Sequence, residues 1–124
     1  MKKAWDKIGI ALSSLCIVHC IGLAILPALL PTLGHLGIEF HLFMSILILV
    51  TSPLAFIPGY KKHGVSMVIM WAMAGLSMIL LGTFMEEKFP EWLSHSVTIV
   101  GSITLVYAHF LNIKHSRHNH CCDH

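Results

Sequence analysis

The chain has 124 residues, of which 56% are hydrophobic and only 11% charged, with a formal net charge of +2. A soluble domain of this length carries about twice that charged fraction. The composition therefore leaves no room for a separate soluble core and points to one small integral membrane domain. The small net charge gives no reason to expect a nucleic-acid partner. Two of the four cysteines lie inside an apolar run and two are adjacent near the C-terminus, which is not the spaced framework of a disulfide-rich secreted domain.

The basic start Met1-Lys2-Lys3 followed by an apolar run imitates a signal peptide. The run over 8–30 is longer than the roughly 7–15 residues of a signal core, and no Ala-x-Ala-like site follows it, so a retained first span is expected. A span needs roughly 20 apolar residues, and three further stretches qualify, 40–57, 65–85 and 93–113. Their short connections hold His35 and Glu39, then Lys61, Lys62 and His63, then Glu86, Glu87, Lys88 and Glu91. Short connections make neighbouring helices antiparallel. The expected fold is all-α: an integral membrane four-helix bundle over 1–113, with a flexible His/Cys-rich tail over 114–124.

Seven of the eight basic residues fall on one side of that bundle: Lys2, Lys3, Lys7, Lys61, Lys62, Lys114 and Arg117. The positive-inside rule places that side, and with it both termini, in the cytoplasm. This implies a multi-pass protein of a bacterial inner (plasma) membrane, in contact with lipid. Trp5, Tyr60 and Trp92 stand at expected interfaces. Pro27 and Pro53 lie inside spans, where local kinks are expected, and Pro90 suits the start of the fourth helix.

The segment Ser14-Leu15-Cys16-Ile17-Val18-His19-Cys20 carries the strongest chemical signal. It sets two thiols and an imidazole in an otherwise apolar span, where polar groups mark functional sites. At about 100° per residue, Cys16 and Cys20 are about 40° apart on the helix, with His19 on the other side of Cys16 at about 60°. Cysteines at i and i+4 can converge on one ion, and thiolates select soft cations. Buried cysteines also occur as inert small apolar residues, but a Cys-x-x-His-Cys group in mid-span favours ligation. By depth, this group is expected near the bilayer midplane.

Each span carries one polar or polarisable stripe. These are Asp6, Gly9, Ser13, Cys16 and Cys20; then His41, Ser45 and Ser52; then Ser66, Met70, Met73 and Ser77; then His95, Thr98, Ser102 and His109. Such stripes are expected to face the interior of the bundle, although small and hydroxyl residues also serve plain helix packing. The metal-ligand candidates are Cys16, His19, Cys20, His41, His95, His109, Cys121 and Cys122. His41 and His95 would lie toward the outer side, and His109 near the inner end. Cys121 and Cys122 would lie in a tail able to capture a soft ion or exchange it with a thiol carrier. Glu86 and Glu87 read first as a solvated loop, and otherwise as outer acids that concentrate cations near His41 and His95.

The span-one motif Ser14–Cys20 with Asp6, Gly9 and Pro27, the pair His109 and Asn112, and a cysteine-bearing tail together resemble the MerC family of small bacterial mercuric transport proteins. The resemblance covers most of the chain. It implies four spans, a membrane-embedded thiol pair, a second cytoplasmic pair, and uptake of Hg(II) toward a cytoplasmic reductase. The adjacent tail cysteines and surplus histidines depart from the family pattern and keep Zn(II), Fe(II) and Cu(I) open. No phosphate-binding G-x-x-x-x-G-K-[ST] motif is present, so no ATPase drives the process.

The leading expectation is a metal-ion transporter that is not an enzyme. It would hold no permanent cofactor and would hand its ion to a thiol acceptor or reductase in the cytoplasm. A membrane thiol–disulfide oxidoreductase and a metal sensor or binding protein are the alternatives. A haem bundle is disfavoured, because His41 and His109 lie near opposite ends of the membrane. Four short spans are few to enclose a pore, which makes a homodimer an expectation.

Overall fold

Inside hydrocarbon a backbone must satisfy its own hydrogen bonds, so apolar runs of this length become helices. The computed structural model describes residues 2–29, 35–86 and 88–118, and among these there are four helices and no strand. They are α1 (Lys2–Leu29), α2 (His35–His63), α3 (Ser66–Met85) and α4 (Glu91–His118). Each carries a stretch long and apolar enough to cross a membrane: Ala4–Gly22, Leu42–Lys62, Ser66–Met85 and Glu91–Ser116.

The helices are longer than the spans read from hydropathy. His35 and Glu39, expected in a loop, belong to the first turns of α2. Helix α4 continues through Lys114 to His118, into the segment read as tail. Lys62 Nζ donates to the Ser116 carbonyl at 3.1 Å, which ties this extension to the end of α2. Pro53 and Pro58 both lie within α2.

The turns are set by two residues. Gly64 has φ +66 and its N–H donates to the Tyr60 carbonyl at 2.8 Å, so α2 ends in a left-handed glycine cap before α3 begins. Pro90 has no N–H to lose at a helix start, and its carbonyl accepts from the Leu93 N–H at 2.9 Å, which opens α4.

The four helices form a ring in which α1 neighbours α2 and α4, and α3 neighbours the same two. Helices α2 and α4 also meet across the diagonal. The N-terminus of α1, the C-terminus of α2 and the C-terminus of α4 share one end, called the proximal end below. That end carries Lys7, Lys61, Lys62 and Lys114. The distal end carries Glu86, Lys88, Glu91 and the exposed Trp92.

Three of the four expected stripes are interior. Asp6, Gly9, Ser13, Cys16 and Cys20 are all buried on α1, as are Ser45 and Ser52 on α2, and Thr98, Ser102 and His109 on α4. The α3 stripe is not. Met70 and Met73 are 68% and 57% exposed, Ser66 and Ser77 are exposed as well, and the buried face is Val68, Ala72, Gly75, Ile79 and Gly82. Close approach decides this. A Cβ on Gly75 would stand 2.9 Å from the Gly101 carbonyl, and one on Gly101 would stand 2.8 Å from Met78 Cβ. Helices α3 and α4 therefore touch backbone to backbone, and only a small-residue face allows it. The methionines are turned to lipid, which accepts them at no cost.

This packing sets a stability test. Gly101→Ala forces the backbones apart and is expected to destabilise the bundle by about 1–3 kcal/mol. Gly22→Ala, which meets nothing within 4 Å, should be neutral or stabilising by up to about 1 kcal/mol. Reversible unfolding of the two variants in detergent micelles measures the difference.

Candidate functional site

Helix α1 lines the interior with Cys20, Cys16, Ser13, Gly9 and Asp6, in order from the distal to the proximal end. Cys16 and Cys20 are buried at 2% and 0% exposure, as thiols rather than a disulfide. They stand one helical turn apart, and their side chains are within hydrogen-bonding reach of each other. Two sulfurs converging in a dry interior are a compact soft-ligand pair.

His19 does not join them. Its ring packs on Phe40 of α2, with centroids 4.0 Å apart. On the helix it lies about 100° from Cys20, too far around for all three side chains to face one ion. Among the described residues, no group of three or more His, Cys, Asp or Glu side chains converges where a metal could be held. The Cys-x-x-His-Cys centre expected from the sequence is thus a two-thiol pair.

The Glu86 carboxylate, at the C-cap of α3, is close enough to act on Cys20 electrostatically, and Cys16 stands one turn nearer the proximal end.

The distal mouth is polar inside. Glu86 is only 7% exposed at its side chain and lies 3.9 Å from Nε2 of His95, itself 13% exposed. The solvated loop read from the acidic run is corrected here: Glu86 faces into the bundle. One turn deeper, Ser45 Oγ and Thr83 Oγ1 are 2.9 Å apart. Nothing is described of the His41 side chain, although the residue lies in α2. Cys121 and Cys122 fall outside the described residues.

The proximal end holds a second polar cluster that sequence reasoning named only in part. Asp6 of α1, 5% exposed, accepts from His109 Nδ1 at 3.1 Å and from Asn112 Nδ2 at 2.9 and 3.0 Å. Asn112 Nδ2 also lies 3.3 Å from the Ala55 carbonyl of α2. A carboxylate only accepts, so the Nδ1 of His109 carries the proton and Nε2 presents a lone pair. Phe56 stacks on one face of the ring at 4.4 Å and 27°, and the Gly9 backbone lies against its Nε2 edge, where a Cβ would overlap the ring. His109 is thus brought together with Asp6 and Asn112, not with the thiols.

Asp6, Asn112 and Glu86 are polar interior residues that were not among the ligand candidates. Asp6 shares the polar stripe of Cys16 and Cys20, and Asn112 stands one turn from His109, but the tie between them spans 106 positions.

The model of the MerC mercury resistance protein family matches residues 6–114, which is nearly the whole chain. The chain belongs to the MerC family, membrane proteins of mercury resistance, and its four membrane-capable helices fit metal transport. No curated protein and no solved structure matches the chain.

Removing the Asn112 amide leaves a buried carboxylate with one donor fewer. Asn112→Ala should destabilise the bundle by about 1–3 kcal/mol, read as a lower unfolding midpoint in detergent. The exposed substitution Ser96→Ala should leave that midpoint within about 0.5 kcal/mol.

Proposed function

We propose that the chain carries a soft divalent cation, Hg(II), across a bacterial inner membrane, and that the Cys16–Cys20 pair is where the ion is held in the bundle. The observation that carries this reading is the burial of two thiols side by side with no third ligand converging on them among the described residues. Zn(II) takes four ligands in structural sites and three plus water in catalytic ones. A two-thiol pair favours an ion that binds thiolate strongly at low coordination, which selects Hg(II) or Cu(I) over Zn(II) and Fe(II).

The ion would gather at the distal mouth, where Glu86 and His95 supply a carboxylate and an imidazole at the level of Cys20. It would then bind the thiols and leave toward the proximal end. Basic residues concentrate there, so the proximal end is the cytoplasmic one by the positive-inside rule. Cys121 and Cys122, which follow α4 in the sequence, would pass the ion to a thiol acceptor or reductase. Under this reading the metal is cargo, and His109 serves the site without ligating it. The alternative of a thiol–disulfide oxidoreductase loses support, because both thiols are shielded from a redox partner by burial. A homodimer fits this function but is not needed for the thiol pair, which a single helix supplies.

Cells expressing the chain should accumulate Hg(II) above control cells. Cys16→Ser and Cys20→Ser should each lower that uptake at least about tenfold, since ligand loss costs no less than loss of a residue that merely orients a ligand. Equal uptake by the wild type and the double variant overturns the thiol reading.

A further inference from the structure

Among the buried polar atoms of the described residues that have no hydrogen-bond partner are Ser13 Oγ, Ser52 Oγ, Ser102 Oγ and His109 Nε2. Each such group costs about 1–3 kcal/mol if nothing ever pairs with it. They come from three helices, and the helical spacing puts them in adjoining layers. His109, Gly9 and Phe56 are in contact and define one level of the bundle. Ser13 is four residues from Gly9 and Ser52 four from Phe56, both toward the distal end, so each stands about 6 Å above that level. Ser102 is seven residues from His109, about 10 Å above it and close to the same helical face. Cys16 is seven residues from Gly9 and stands at the height of Ser102, one turn above Ser13. Ser13 therefore stands on the α1 face between Cys16 and the level of His109, whereas Ser52 lines a groove between α2 and α3.

The ring of His109 is turned to suit this. Its two nitrogens lie on opposite edges, so an Nδ1 held by Asp6 at 3.1 Å turns Nε2 away from the carboxylate. The interactions of His109 are those with Asp6 of α1 and Phe56 of α2, beside the Gly9 backbone. Asp6 is the one charged or titratable group that faces it from the helices packed around it, among the described residues. Asp6, His109 and an unpaired Nε2 make the carboxylate–imidazole arrangement that orients a general base.

Loading the thiols requires such a base. Binding of one divalent ion by two thiols forms two metal–sulfur bonds, breaks two S–H bonds and releases two protons. In a dry interior these protons cannot escape directly to water. A hydroxyl both donates and accepts, so Ser13 can hand a proton on, and a bridging water between Ser13 Oγ and His109 Nε2 can carry it across.

We propose that Asp6 and His109 form the proton outlet of the thiol site, with Ser13 as the first relay from Cys16 and His109 Nε2 as the acceptor. Each thiol proton in turn passes to Nε2. The resulting imidazolium is held against the Asp6 carboxylate and passes its Nδ1 proton through Asp6 to solvent at the proximal end; return of a proton to Nδ1 with loss of the one on Nε2 restores the starting tautomer before the second proton is taken. Ion capture is thereby coupled to proton release on the side of the termini. The inference rests on the thiol reading above, and its test separates the two.

The full-length chain with Cys121→Ser and Cys122→Ser, so that only the membrane thiols report, is mixed with Hg(II) in a stopped-flow instrument. The thiolate-to-metal charge-transfer absorption is followed as a function of pH. The expected result is a capture rate that depends on pH in the chain that retains Asp6 and His109. In His109→Gln the rate should fall about 10²-fold, the usual scale of general-base assistance, lose that pH dependence, and still reach the same final absorbance. Asp6→Asn should slow capture about tenfold. Ser13→Ala, which leaves the Asp6 cluster intact, should slow capture as well and keeps the test open if the polar-cluster variants fail to fold. Wild-type rates and pH profile in Ser13→Ala and in the folded cluster variants overturn the outlet. Absence of the absorption band in the chain that retains Cys16 and Cys20 overturns the thiol reading instead.

Discussion

The Asp6 carboxylate is the constraint around which the bundle is organised. A buried charge costs several kcal/mol unless its lone pairs are filled. Asp6 fills them from α4, through His109 and Asn112, and Asn112 reaches on to the backbone of α2. One side chain thus fixes the proximal ends of three helices in register. That register turns the α1 face with Ser13, Cys16 and Cys20 inward, and it sets the Nε2 edge of His109 against Gly9 on that same face. Helix α3 is held instead through glycine contacts with α4.

Two ends of one helix face therefore do different chemistry. Near the distal end the groups are soft or cation-attracting: two thiols, with Glu86 and His95 at the mouth. Near the proximal end they are groups that carry protons: a carboxylate, an imidazole and hydroxyls. The family places the chain among membrane proteins of mercury resistance, and this division suits an ion that must displace protons to bind. The lipid-facing surface, with Val18, Phe84 and Trp92 strongly exposed, adds no ligand.

Much of this was legible in the sequence. Four apolar runs separated by short polar turns fix a four-helix architecture. The α1 stripe was visible because Asp, Ser and Cys recur there with a 3.6-residue period inside an apolar run, which marks a buried helix face. The α3 face was misread because polarity is a poor guide to burial in a membrane. Size decides there, and Gly75 and Gly82 go inside while Met70 and Ser77 do not. His19 looked like a ligand by spacing alone, but its place on the helix sends it to Phe40. Glu86 resembled its solvated neighbours, and only the packing of α3 on α4 turned it inward. The Asp6–Asn112 tie joins opposite ends of the chain, so no local pattern could announce it.

The central claim is that the ion is bound by Cys16 and Cys20 and by nothing else in the bundle. X-ray absorption at the mercury edge tests it most directly, on the full-length chain with Cys121→Ser and Cys122→Ser loaded with one equivalent of Hg(II). The expected result is a first shell of two sulfur atoms that is lost in Cys16→Ser/Cys20→Ser. A first shell of nitrogen or oxygen, or a sulfur shell that survives that double substitution, would contradict it.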